Sequence, residues 1–103
     1  MACFARRRFC ALAVKVYVTE FDVNMNDLQV SNEEKRTRQA IIYHEMLRAC
    51  IESKVCPSFA YLGITDKESW YNELGVPNAM PLFFDEAYRP KPAFWGIRQA
   101  LEQ

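Results

Sequence analysis

The chain is poor in the residues that hold metals. His44 is its only histidine, and none of Cys3, Cys10, Cys50 and Cys56 stands in a C-x-x-C pair, which argues against a zinc site. No metal and no other cofactor is expected. An excess of one charge is missing too. Thirteen basic and thirteen acidic residues cancel, so nothing favours nucleic acid or an anionic membrane as a partner. No apolar run approaches the ~20 residues of a membrane span. The opening stretch MACFARRRFCALAV has the arginine cluster of a signal peptide. Only residues 9–14 separate Arg8 from Lys15, however, which is shorter than the ~7–15 apolar residues an export signal needs. At 103 residues there is room for one domain at most, and a half-hydrophobic, aromatic-rich composition excludes disorder.

What is there is organised around residues 14–23, VKVYVTEFDV. Apolar and β-branched residues lead into two carboxylates, which reads as a strand with a polar end. Alternation puts Val16, Val18, Glu20 and Asp22 on one face. An α/β barrel displays catalytic groups at the C-terminal ends of its strands in this way. An amphipathic strand ending in solvated acids fits the same pattern, and the pattern alone leaves both readings open.

Residues 5–12, with Phe9 and Leu12 behind three arginines, fit the last turns of a helix. After the strand, Ser31 and Glu34 form a capping box, Ser31 accepting from the Glu34 amide and Glu34 reaching back. From there to about Ser53, Ala40, Tyr43, Leu47, Cys50 and Ile51 recur at helical spacing, with Lys35, Arg36 and Arg38 on the solvated part. His44 has no acid or nucleophile spaced to orient it and reads as a packed or surface residue. Pro57 stops the helix, and residues 58–64 read as a second buried strand. Strand, helix, strand makes a βαβ unit with parallel strands. Residues 65–91 exceed the ~12–15 residues a structureless loop normally reaches. Their aromatics suit a hydroxyl-rich ligand with a flat face, and serve equally to pin the loop to the body. Pro92 opens a last helix with Phe94, Ile97 and Leu101 as its apolar stripe.

Two of these stretches carry a resemblance. VYVTEFDVN resembles the strand 7 signature of glycoside hydrolase family 10, the endo-1,4-β-xylanases, and GITDKESWYNELGVPNAMPLFFDEAYRPKPAFWGI resembles that family's strand 8 loop and helix 8. The resemblance spans about residues 5–102 but only the last quarter of the family's fold. It implies an α/β fold, the C-terminal βαβα quarter (strand 7 to helix 8) of a TIM (β/α)8 barrel, incomplete as a free chain. Residues 1–13 would be the stump of the preceding helix, 14–64 the βαβ unit, 65–91 a substrate-side loop and 92–102 the last helix. The family is usually secreted; with no export signal read here, the compartment stays open.

The resemblance also implies site residues. Glu20 would be the nucleophile and Trp70 the tryptophan covering the sugar beside the cleavage point. Asp22 and Asp85 would be structural acids, Asp85 holding the loop. ACIESKVC matches a place where the family often carries a disulfide, here Cys50 to Cys56; a pair of buried free thiols is the alternative. One departure stands out. The family usually has W-G before I-T-D, and Leu62-Gly63 removes that stacking surface. Xylan or a xylo-oligosaccharide is the implied partner, and unpaired strand edges imply self-association.

Retaining glycosidases need two carboxyl groups about 5–5.5 Å apart across the scissile bond. Asp22 cannot partner Glu20, since residues two apart on a strand lie about 6.6 Å apart and project the same way. Asp66 and Glu86 are freer, but nothing in the sequence marks either as an acid. The family's acid comes from a strand this chain lacks, so the chain alone is expected to be inactive. A non-catalytic carbohydrate-binding or assembly piece using the Trp70 loop is the alternative.

Overall fold

A computed structural model describes residue 12 and residues 14–103 of the chain. Except for Leu12, the expected helix end, with Cys3, Cys10 and Ala13, lies outside the described residues. Strand β1 (Tyr17–Val18) pairs in parallel with β2 (Ser58–Phe59), Tyr17 opposite Ser58 and Val18 opposite Phe59. Flanking bonds lengthen the contact, the Val16 N–H donating to Val55 O at 2.7 Å and the Phe21 N–H to Ala60 O at 3.0 Å.

Both strands are much shorter than the expected 14–23 and 58–64, because the chain changes partner. Beyond Phe21, the Val23 N–H donates to Pro81 O at 3.2 Å and the Met25 N–H to Ala79 O at 2.8 Å. Beyond Gly63, the Phe84 N–H donates to Ile64 O at 3.1 Å and the Asp66 N–H to Phe84 O at 2.9 Å. Buried backbone groups must be paired somewhere, and the long loop supplies the partners. The loop is therefore built into the ends of both strands.

Helix α1 (Asn32–Ser53) begins where the cap predicts, the Ser31 Oγ accepting from the Glu34 N–H at 3.1 Å. The return half of the capping box does not form. The Glu34 carboxylate pairs with Arg38 one turn on, a charge-assisted i,i+4 contact that competes with the backbone. The helix stops before Pro57, at Lys54, which takes the left-handed conformation (φ 61°) and donates its N–H to Ile51 O. A disulfide joins Cys50 to Cys56 across this end, with Cα atoms 5.1 Å apart.

The buried face of α1 is Lys35, Gln39, Tyr43, Leu47, Cys50 and Ser53, which keeps Tyr43, Leu47 and Cys50 of the expected set and departs from it at Ala40 and Ile51. Ala40 is half-buried, Ile51 is 41% exposed, and Lys35 is buried where a solvated residue was expected. The rotation follows from Gln39. Its amide is fully buried because its Nε2 donates to Val23 O at 3.0 Å and Met80 O at 2.5 Å, so the polar group finds acceptors that the sequence does not reveal. Tyr43 lies one turn further on, its O–H donating to Pro81 O at 2.7 Å.

Tyr43, Phe83 and Ala93 form the centre of the core, surrounded by Phe21, Val23, Tyr61, Phe84, Phe94 and Ile97. The rings meet edge to face, Tyr61 and Phe83 at 4.5 Å and Phe21 and Tyr43 at 5.3 Å. Helix α2 (Pro92–Glu102) buries Ala93 and Ala100; of the expected stripe, Phe94 and Ile97 are half-buried against the core, whereas Leu101 is 65% exposed. Small residues face inward because the two helices nearly touch. A Cβ on Gly96 would sit 2.7 Å from Ala40 O. Arg48 of α1 then closes the far end, its Nη1 donating to Ala100 O at 3.2 Å. No described helix is long and apolar enough to cross a membrane.

Candidate functional site

Phe21 and Val23 turn into the core, so the residues between and before them turn away. Glu20 is exposed at the end of β1, and among the described residues nothing bonds its carboxylate. Asp22, half-buried, is held on both oxygens. Its Oδ2 accepts from the Trp70 Nε1–H and its Oδ1 from the Tyr71 O–H, both at 3.1 Å. The two rings lie side by side, centroids 4.8 Å apart. Trp70 remains 44% exposed, its ring surface open to solvent. Burial, then the Asp22 hydrogen bond and charge, push the Tyr71 phenol up from its ordinary value.

The segment carrying Trp70 is two consecutive 3₁₀ turns, Asp66–Glu68 and Trp70–Asn72. Thr65 and Ser69 cap them, their hydroxyls accepting from the Lys67 N–H at 3.2 Å and the Tyr71 N–H at 3.1 Å. Asp85 organises the far side of the loop. Its Oδ1 accepts from the N–H groups of Ala87 and Arg89 at 2.8 and 2.9 Å, and its Oδ2 from the Arg89 Nε at 3.2 Å. These donors, the Arg89 amide first, hold its carboxyl below the usual range. The loop aromatics divide by role. Phe83 is buried in the core, while Trp70 and Tyr88 face outward.

Asp66 is not the free acid that the sequence allowed. It is buried, with Oδ1 accepting from the Leu82 N–H at 2.7 Å and Oδ2 from the Lys91 Nζ at 2.8 Å. Burial raises its carboxyl pKa, against the opposing pull of Lys91. Glu86 is exposed and lines a polar cavity of about 320 Å³ with Arg36, Asp85 and Arg89; Glu20 does not contribute to that cavity. Asp66, Asp85 and Glu86 thus share a cavity that Glu20 does not line. Leu62 is exposed. His44 lies on α1 beside the groove towards α2, its Nδ1 3.5 Å from Glu45 Oε1. Among the described residues no three of His, Cys, Asp and Glu gather as a metal site.

Sequence reasoning missed Lys91, Gln39 and the Tyr43 hydroxyl. Each bonds carbonyls of residues 80–82, between 9 and 41 positions away. No local signal announces such a bond.

The sequence profile of glycosyl hydrolase family 10 matches residues 4–100. The chain is 31% identical over 96 residues to endo-1,4-beta-xylanase B of Thermotoga neapolitana, covering 93% of this chain and 28% of that protein. It is 32% identical over 103 residues to an endo-1,4-beta-xylanase of Geobacillus stearothermophilus, covering 90% of this chain and 31% of the other. Its fold superposes on native xylanase 10B from Thermotoga maritima with a TM-score of 0.82 at 32% identity, over 92% of this chain and 29% of that one. It also superposes on xylanase 10B from Thermotoga petrophila RKU-1, solved in complex with xylobiose, with a TM-score of 0.82 at 33% identity, again over 92% and 29%. The chain spans about three-tenths of the length of these relatives.

Proposed function

The chain belongs to glycosyl hydrolase family 10, part of a TIM-barrel hydrolase, and from that premise we propose that it supplies the nucleophile side of a retaining endo-1,4-β-xylanase site. In this reading the chain is the strand 7 to helix 8 portion of the barrel, residues 65–91 are the substrate-side loop, and xylan is the substrate.

Glu20 is the nucleophile. One of its oxygens forms a bond to the anomeric carbon as the bond from that carbon to the glycosidic oxygen breaks, giving a glycosyl ester. A second carboxyl group gives its proton to the departing oxygen and later takes one from the water that releases the sugar. Asp22 and Asp66 are both committed to other partners and Glu86 lines a cavity that Glu20 does not reach, so in this reading the proton donor comes from another part of the barrel. Trp70 stacks on the sugar bound next to Glu20, and Asp22 holds that ring in place. The observation that carries the reading is the Asp22 clamp. It ties the loop's exposed indole to the strand end that bears Glu20.

Two measurements test it. A fluorinated xyloside with a good leaving group forms a glycosyl ester that resists hydrolysis and needs no proton donor. Mass spectrometry should then find the label on Glu20 alone and none in Glu20→Gln. Label on any other carboxylate would refute the assignment. Xylan itself should not be turned over by the chain alone, since general acid catalysis is typically worth ~10²–10⁴ in rate. Activity should appear when the remaining barrel strands of a relative are supplied as a second chain, and Glu20→Gln should abolish it.

A further inference from the structure

Lys91 has no part in the chemistry above, yet its ammonium is enclosed and fully used. The residue is 3% exposed, and Nζ donates to Asp66 Oδ2 at 2.8 Å, Met80 O at 2.9 Å and Leu82 O at 2.5 Å. An ammonium has three donors, and all three are engaged. Asp66 accepts in turn from the Leu82 N–H at 2.7 Å. Desolvation dominates both partners, lowering the Lys91 pKa and raising that of Asp66. A buried pair in this condition is a poor device for stability, since an apolar pair of the same shape often does as well. Its value lies in geometry, because converging donors and acceptors accept only one arrangement of residues 66, 80, 82 and 91.

That arrangement leads to the exposed tryptophan. The backbone oxygen of Asp66 accepts from the Asn72 Nδ2 at 3.2 Å and the Ser69 N–H at 3.4 Å, and the same Asn72 Nδ2 donates to Lys67 O at 2.9 Å. Ser69 caps, and Asn72 ends, the short turn in which Trp70 sits. The backbone under Trp70 is thus mounted on Asp66, while its indole tip is gripped by Asp22. We infer that Lys91 is a positioning residue for Trp70, setting through Asp66 the angle at which the ring is offered. The consequence for sugar binding rests on the reading of Trp70 as a sugar platform; the placement itself does not.

The two tryptophans allow a test without sugar. Trp95→Phe leaves Trp70 as the sole emitter, and Trp70→Phe leaves Trp95. In each background Lys91→Met, Lys91→Arg and the double variant Asp66→Leu/Lys91→Met are compared by emission maximum, acrylamide quenching and helical ellipticity. The double variant is decisive because it leaves no unpaired buried charge. It should keep its ellipticity and the Trp95 signal, while Trp70 emission moves to the red and its quenching constant rises about twofold. Lys91→Arg, which keeps the charge and several donors, should fall between the double variant and the parent. Parental Trp70 emission in the double variant would overturn the inference. So would equal changes at both tryptophans, which would reveal only a general structural role. Xylohexaose added to the parent is a separate arm. If it leaves Trp70 emission unchanged, the sugar reading fails while the positioning role of Lys91 stands or falls on the first measurements.

Discussion

The indole N–H of Trp70 reaches back 48 residues to donate to Asp22 at 3.1 Å. Asp22 lies two residues past Glu20, so the loop tryptophan and the candidate nucleophile are carried on one connected piece of structure. The loop cannot move its ring away from the strand end without breaking this bond and its twin from Tyr71.

Asp22→Ala should therefore loosen Trp70 while leaving the core intact. Hydrogen bonds to a charged group are worth about 1.5–3 kcal/mol when buried, and partial exposure reduces this to about 1 kcal/mol. A loss of about fivefold in xylo-oligosaccharide affinity is expected, from about 1 kcal/mol at 1.4 kcal/mol per tenfold. Titration calorimetry on the complemented barrel would measure it; unchanged affinity would show that the clamp does not serve binding.

Alkaline pH should open the same clamp. The fold raises the Tyr71 pKa above 10.0, so it favours the neutral phenol. The stability this contributes is fully present below pH 10, the ordinary value, and is lost as pH rises through the folded-state value. The Tyr71 ring-carbon resonance followed by NMR should titrate above pH 10. In Asp22→Asn it should move only part of the way back, because burial, the larger cause, remains. Titration at or below pH 10 in the parent would contradict this.

Gly96→Ala should destabilise the chain, although alanine is the better helix former by about 0.8–1.0 kcal/mol. The added Cβ would meet the Ala40 carbonyl oxygen at 2.7 Å, and that backbone atom cannot swing aside. Overpacking of this kind costs about 1–3 kcal/mol, so a net loss of about 1 kcal/mol is expected in urea unfolding. A more stable variant would mean that the helices separate easily at this point.

The 103-residue chain should self-associate. β1 and β2 have only each other as ladder partners among the described residues, and α1 leaves Ile41, Ile42, Met46 and Ile51 exposed. Sedimentation should reveal association that grows with concentration, and the double variant Ile42→Lys/Met46→Glu should reduce it. A monomer with a sharp cooperative melt would refute the expectation.

The local decisions in this protein were legible in the chain. Ser31 starts α1 and Pro92 opens α2 because caps and first-turn residues act on backbone groups only a few positions away. The VYVTEFDVN and ITDKESW stretches carried the family, since motifs are contiguous. Decisions that join distant residues were not legible. Strand lengths depended on whether residues 23 and 64 would pair with each other's strand or with the loop, and a backbone donor carries no mark of its acceptor. Gln39 and Lys35 look like solvent residues until carbonyls 80 and 23 or a packed neighbour are brought to them. Asp66 read as a free loop acid because Lys91, 25 residues away, is invisible from its position. Tertiary structure decided these cases because burying a polar group costs free energy unless a partner is present, and only the folded chain determines which partner is near.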